Sequence, residues 1–442
     1  MQESRKPMKQ EIAKSLFLLC LFWWSTGARA VLEIKITEGV EKPLPVAIVP
    51  FGWSGPADAQ PIVMESTINN DLARSGRFAT MDAKDMPQTP TGFAAVNFKD
   101  WRMLGMQNVV IGNLRETGPD TYEVEFRLLN SFSGSQLAGF RVPATRKQLR
   151  RTAHRIADIV FEKLTGLRGA FDTRIAYVTV KKSGKESRYN LQVADADGFN
   201  PQVLLDSGEP LMSPAWAPDG KRLAYVSFEG RTSTIYVQDV ITGQRQRVAA
   251  NPGINSAPAF SPDGKRLALT LSMGGDPEIY VMNLETRALF QVTHDRSIDT
   301  EPSWSPDGTR IAFTSDRGGG PQIYEVSAQG GPAKRLSFEG SYNARPRFSP
   351  DGRSLAVVHG QDRRYQIGVF APGSGGVDIL SKSRLDESPS FAPNGSMIIY
   401  TTVGANGSEL AAVSTDGRVH QRLALQDGEV REPAWGPFLS AQ

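Results

Sequence analysis

Four histidines are the first candidates for chemistry in this chain of 442 residues: His154, His294, His359 and His420. No two stand at metal-ligand spacing and no H-E-x-x-H occurs, so no zinc-hydrolase centre is written locally. His154 reads as lying on the polar side of a helix, and the other three fall in or after predicted strands far apart in the chain. There is no G-x-S-x-G nucleophile elbow and no phosphate-binding P-loop. Asp195-Ala-Asp-Gly198 has the opening of a calcium loop. It lacks the third carboxylate and the distant glutamate that complete such a site, and so reads as a hairpin turn. Cys20 is the only cysteine. The aspartates of the repeated Pro-Asp-Gly turns would be catalytic candidates if one stood alone, but recurrence at one turn position argues for turn chemistry. No cofactor and no metal is expected.

These residues are carried by a repeat. The aromatics Trp216, Phe260, Trp304, Phe348, Phe391 and Trp435 each sit in a Pro-x-aromatic-x-Pro segment, at steps of 44, 44, 44, 43 and 44. That period belongs to four-stranded propeller blades. A Pro-Asp-Gly or Pro-Asn-Gly turn follows most of them, proline fixing φ and glycine taking a left-handed position. A second strand then begins seven residues past the aromatic, at Leu223, Leu267, Ile311, Leu355 and Ile398. Third and fourth β-rich runs complete each unit. The second-strand pattern also occurs at Ile175, but no Pro-x-aromatic precedes it, whereas PAWGP at the other end opens a unit that the chain never finishes. The two half-units match if the last strand completes the first blade, which also removes open sheet edges. The expectation is a six-bladed β-propeller over 171–442, closed by its C-terminal strand, with the Trp/Phe series as core.

The first thirty residues read as a signal peptide: basic residues Arg5 to Lys14, the short apolar run Ser15 to Trp24, and Ala28-Arg29-Ala30 with cleavage after Ala30. Cys20 would leave with it, so the mature chain is expected to hold no disulfide or thiolate ligand. The leader carries five of the 50 basic and two of the 47 acidic residues. The remainder is close to neutral, without the basic footprint of a nucleic-acid binder. No later run is long enough to span a bilayer, so a soluble protein outside the cytoplasm, monomeric, is expected.

Residues 31–166 lack the period and read as a smaller N-terminal α/β domain. LPVAIVPF (44–51), NVVIGNL and YEVEFRLLN read as strands. Ile62, Ile68 and Leu72 before Gly76 fit one helix, and Leu149, Ala153, Ile156, Val160 and Leu164 before Gly166 fit another. Residues 31–42 precede the first core strand and read as an arm able to dock, or an edge strand.

On a propeller, the segments before each inner strand ring the mouth of the channel. Here they are EPLMS (209–213), PGINSA (252–257), RSIDTE (296–301), SYNAR (341–345), RLDES (384–388) and EVRE (429–432). They differ while the frame repeats, as a binding face does. Met212, Ser213, Asn255, Ala257, Thr300, Glu301, Arg345 and Glu387 in these loops are the candidate partner-binding residues.

The stretches PVAIVPFGWSGP, FEKLTGLRGAFDTRIAYV, PLMSPAWAPDGKRLAYVSFE, TEPSWSPDG and LDESPSFAPNG resemble the TolB family, the periplasmic component of the Tol–Pal system of Gram-negative bacteria. The resemblance implies a non-enzymatic adaptor. Its propeller face would bind the peptidoglycan-associated lipoprotein Pal, with Met212, Asn255, Ala257, Thr300 and Glu301 in contact. The arm at 31–42, including Val31, Glu33, Ile34 and Ile36, would engage TolA. Such proteins help maintain the outer membrane and draw it inward at division. Ile254 stands where the resemblance leads one to expect a histidine. The alternative is a periplasmic propeller hydrolase or lyase acting on a cell-wall or sugar substrate in the same channel.

Overall fold

Blade closure is the feature on which the rest of the architecture depends. In the computed structural model the strand Glu429–Trp435 pairs antiparallel with Arg174–Ser183, placing Trp435 opposite Ile175. The structure describes residues 32–38, 42–55, 60–404, 407–425 and 428–439. The expected leader, its cleavage after Ala30 and the arm residue Val31 lie outside the described residues.

The first blade therefore runs Gln202–Ser207, Glu186–Asp195, Arg174–Ser183, Glu429–Trp435, from the outside inward. Four further sheets are four-stranded, with inner strands Leu211–Trp216, Asn255–Phe260, Asp299–Trp304 and Tyr342–Phe348. The sixth blade begins at Asp386–Phe391 and carries a fifth strand, Leu32–Glu38, paired antiparallel with His420–Leu425 on its outer edge. Residues 32–38 of the arm are thus docked on the propeller as an edge strand.

The aromatic series holds blade to blade. Trp216 Nε1–H donates to Ala434 O at 3.1 Å, Trp304 Nε1–H to Ala259 O at 3.0 Å and the Trp435 backbone N–H to Ser390 Oγ at 2.9 Å, while Trp435 Nε1–H donates to Thr173 Oγ1 at 3.0 Å within the first blade. The arginine after three of the turns lies over the next blade's aromatic: Arg222 on Phe260, Arg266 on Trp304 and Arg310 on Phe348, at 4.7 to 5.7 Å. These cation–π contacts and buried rings explain why type and spacing recur together.

The N-terminal domain is a mixed sheet ordered Phe78–Thr80, Leu44–Ile48, Asn108–Gly118, Thr121–Asn130, Ser135–Thr145, with Gly52–Ser54 pairing beside the third of these. Helices α1 (Met64–Arg74) and α3 (Leu149–Thr165) cover one face, burying Met64, Ile68, Leu72, Leu149, Ile156 and Val160 against Val46, Val110, Val124 and Phe126. Helix α2 (Phe98–Met103) covers the other face with Trp101. Gly166 ends α3 at φ 78°, the left-handed stop that glycine adopts at least cost.

Candidate partner-binding site at the channel mouth

Each inner strand carries one non-glycine residue in the left-handed region: Ser213, Ala257, Glu301, Arg345, Ser388 and Glu432, with φ between 48° and 58°. They occupy one repeat position. The ladder register shifts at that point in all six blades, and a proline follows each. Left-handed backbone at a residue with a Cβ costs about 1 kcal/mol. The ring is held by bonds across blade boundaries. Ser213 N–H donates to Glu432 Oε2 at 3.3 Å, Glu432 N–H to Thr401 Oγ1 at 3.2 Å, and Arg345 N–H to Glu301 Oε2 at 2.9 Å.

The bulges turn these side chains into the channel, a cavity of about 410 Å³. Arg345 crosses its mouth. Its Nε lies 3.0 Å from Glu301 Oε1, its Nη1 3.3 Å from Glu432 Oε1, and Nη1 also donates to Ser388 Oγ. Glu432, opposed by burial and helped by Glu301, holds the Arg345 guanidinium even more firmly charged. Burial pulls Arg347, behind it, the other way. The knot ties blades four, five, six and one together at the open face.

The candidate residues separate by burial. Met212 and Glu387 are exposed; Ser213, Ala257, Thr300, Glu301 and Arg345 are half-buried around the mouth. Asn255 is not available to a partner through its side chain. It is fully buried, and its Nδ2 donates to Asn251 O at 2.8 Å. Asp299, Asn343 and Asp386, at the same repeat position, are also fully buried, so the position is a structural post under each mouth loop. Of the arm residues, Glu33, Ile34 and Ile36 pair with Ala424, Leu423 and Gln421. Sequence reasoning chose these loops but, apart from Ile254, passed over the apolar residues just outside the posts. There Ile254, Ile298 and Leu385 share one repeat position and are 46%, 50% and 40% exposed. With Met212 they edge a polar channel with apolar side chains. The signal was available: isoleucine and leucine recurring inside otherwise polar loops.

A second polar cluster joins the two domains. His154 is buried, not on the polar side of α3, because the propeller packs there. Its Nδ1 lies 2.6 Å from Asp71 Oδ2, and its Nε2 lies 3.9 Å from Asp197 Oδ2 in the Asp195–Gly198 turn. Burial pulls the imidazole down, but Asp71 and Asp197 outweigh it, so the net shift is upward. Ligand atoms of Asp71, His154 and Asp197 come within 4.8 Å of one another, the spacing of a metal site. Two arginines already occupy the carboxylates: Arg74 Nη2 is 3.1 Å from Asp71 Oδ1 and Arg150 Nη2 bonds Asp197 Oδ2. The two aspartates favour a proton on His154, whereas a dication would face both guanidiniums.

Fold and site define a two-domain protein of the six-bladed β-propeller class. Family signatures described as TolB amino-terminal domain and TolB beta propeller domain match residues 32–137 and 161–439. The chain is 63% identical over 434 residues to the Tol-Pal system protein TolB of Thioalkalivibrio sulfidiphilus, covering 98% of this chain and 99% of that one. It is 59% identical to the Tol-Pal system protein TolB of Methylococcus capsulatus, over 92% of this chain and 95% of the other. The crystal structure of TolB from Acinetobacter baumannii matches with a TM-score of 0.85 at 40% identity, over 92% of this chain and all of that one. The chain belongs to the TolB family of Tol–Pal system proteins.

Proposed function

We propose that this protein is a non-enzymatic periplasmic adaptor whose channel-mouth face docks a Pal-like lipoprotein, and that it supports outer-membrane integrity and constriction at division. The observation that carries this reading is the rim. Exposed Met212, Ile254, Ile298 and Leu385 stand on a strained, hydrogen-bonded frame and surround a charged centre. Apolar anchors around fixed polar groups suit a folded protein surface, and a rigid frame lowers the entropy cost of docking. The same reading has the N-terminal strand engage a TolA-like inner-membrane protein. Leu32–Glu38 is the outermost strand of its sheet, and such an edge can pair with another chain. Among the described residues no helix is long and apolar enough to cross a membrane.

The test is capture of the cognate Pal-like lipoprotein by Met212→Asp and Glu301→Lys. Both variants should capture less, and Met212→Asp should melt like the wild type. Undiminished capture by both would count against this face.

A further inference from the structure

Blades three and four meet beneath mouth loop 294–299. The third strand of blade three starts at Glu278 and the inner strand of blade four starts at Asp299, whose N–H donates to Pro277 O at 2.8 Å. One repeat on, the same slot holds Gln322 and Asn343, and Asn343 N–H donates to Pro321 O at 2.8 Å. That later slot is matched as a pair of amides. Asn343 Nδ2 donates to Gln322 Oε1 at 2.9 Å, and the Ser337 hydroxyl donates to the same oxygen at 2.7 Å.

In the earlier slot both amides are acids. The Thr293 hydroxyl donates to Glu278 Oε2 at 2.5 Å and Asp295 N–H to Glu278 Oε1 at 2.5 Å. Arg317 Nη2 donates to Asp299 Oδ2 at 2.6 Å. Asp299 Oδ1 is buried and receives no donor. Glu278 is 5% exposed and Asp299 0%. The N–H that Asn343 supplies in the neighbouring slot has no counterpart here, because two carboxylates carry no hydrogen between them.

We propose that Glu278 and Asp299 hold one proton between them, and that this proton fastens blade three to blade four and holds down loop 294–299. A hard cation fits less well. It needs six or more oxygens, the pair's other oxygens are already bonded, and Arg317 stands beside them. The groups facing Glu278 are Asp276 and Tyr280 from its own hairpin and strand, His294, Asp295 and Arg296 from the loop, Asp299 from blade four, and Asp316 and Arg317 from the blade-four turn. Burial first, and then Asp299, raise the Glu278 carboxyl above its ordinary range, against the pull of Thr293 and Asp295 N–H. A group raised in the folded state stabilises fully below its ordinary value and loses that contribution as pH rises through the raised one. Above it the two carboxylates repel and the loop loosens.

The experiment follows the full mature chain across pH. Carbon-13 NMR of the wild type should show Glu278, assigned through its bonds, titrating above the ordinary carboxyl range. Amide exchange at 295–299, corrected for intrinsic rate, should lose protection with rising pH by up to about tenfold per pH unit past the midpoint. In Glu278→Gln the profile should be flat, because the introduced side-chain amide supplies the missing donor. Glu278 titrating in the ordinary range would overturn the proposal, as would identical exchange profiles in the two proteins. Saturable calcium binding that Glu278→Gln abolishes would give the slot to a cation instead. Partner capture is not a readout, so the outcome is independent of the docking reading.

Discussion

Asp158 should weaken the junction between the domains as pH rises, and removing its charge should cancel that dependence. The residue lies on α3 beneath the linker to the propeller. Gly169 passes so close that a Cβ there would stand 2.4 Å from Asp158 Cα. The carboxylate accepts N–H bonds from Phe171 at 2.7 Å and Asp172 at 3.2 Å. Burial outweighs both and pushes its pKa from 3.8 to about 7, with Asp172 and Asp71 adding to the rise. The stabilisation it confers is complete below 3.8 and is lost as pH rises through about 7. A rise of roughly three pH units, at about 1.4 kcal/mol each, sets a ceiling near 4 kcal/mol. The side chain is partly exposed, and solvent screening reduces that to about 2 kcal/mol. Asp158→Asn keeps an oxygen for Phe171 but turns a nitrogen toward Asp172 N–H, a pH-independent cost of about 1 kcal/mol. Measured by denaturant unfolding at about pH 5 and about pH 8.5, the stability of the variant relative to wild type should increase by about 1 kcal/mol toward the higher pH, the part of the span below pH 5 having already been lost. A difference that stays constant, or falls, refutes burial as the cause.

Three further changes test the architecture. His154→Leu removes the imidazole between Asp71 and Asp197 and should lower unfolding stability by about 3 kcal/mol in mild acid. The loss should shrink as pH rises through the raised His154 value, because the stabilisation belongs to the protonated ring. Trp435→Ala deletes the aromatic of the closing strand and its bond to Thr173. It should cost about 3 kcal/mol in thermal or denaturant unfolding, and a variant ending before Glu429 should lose the single cooperative transition of the propeller.

The ring was legible in the sequence because its determinants repeat: one aromatic, one turn and one buried strand every 44 residues or so, with a missing opening strand at one end matched by an extra one at the other. The long helix was legible from Leu149, Ala153, Ile156 and Val160 and its terminal Gly166. The strand Ser135–Thr145 was missed because it is a mostly exposed edge interrupted by Gly139 and Pro143, with little alternation to read. Contacts between domains were not legible at all. His154 and the Asp195–Gly198 turn look like a polar helix face and a plain hairpin until α1, α3 and the first blade come together around them. Asn255 was misread for a related reason: a polar residue in a polar loop looks exposed, yet its amide ties that loop down from within. Left-handed backbone at Glu301 and Arg345 has no local signature beyond the proline that follows each.

Docking at the rim is open to calorimetric titration with the soluble domain of the cognate Pal-like lipoprotein. Ile298→Asp places a charge on the exposed rim of blade four, while Ile241→Asp does the same on the far side of the propeller, at a site 71% exposed. The prediction is that Ile298→Asp weakens binding by about 2 kcal/mol, roughly thirtyfold, and Ile241→Asp leaves it unchanged. Equal affinity for the wild type and Ile298→Asp would contradict docking at this face.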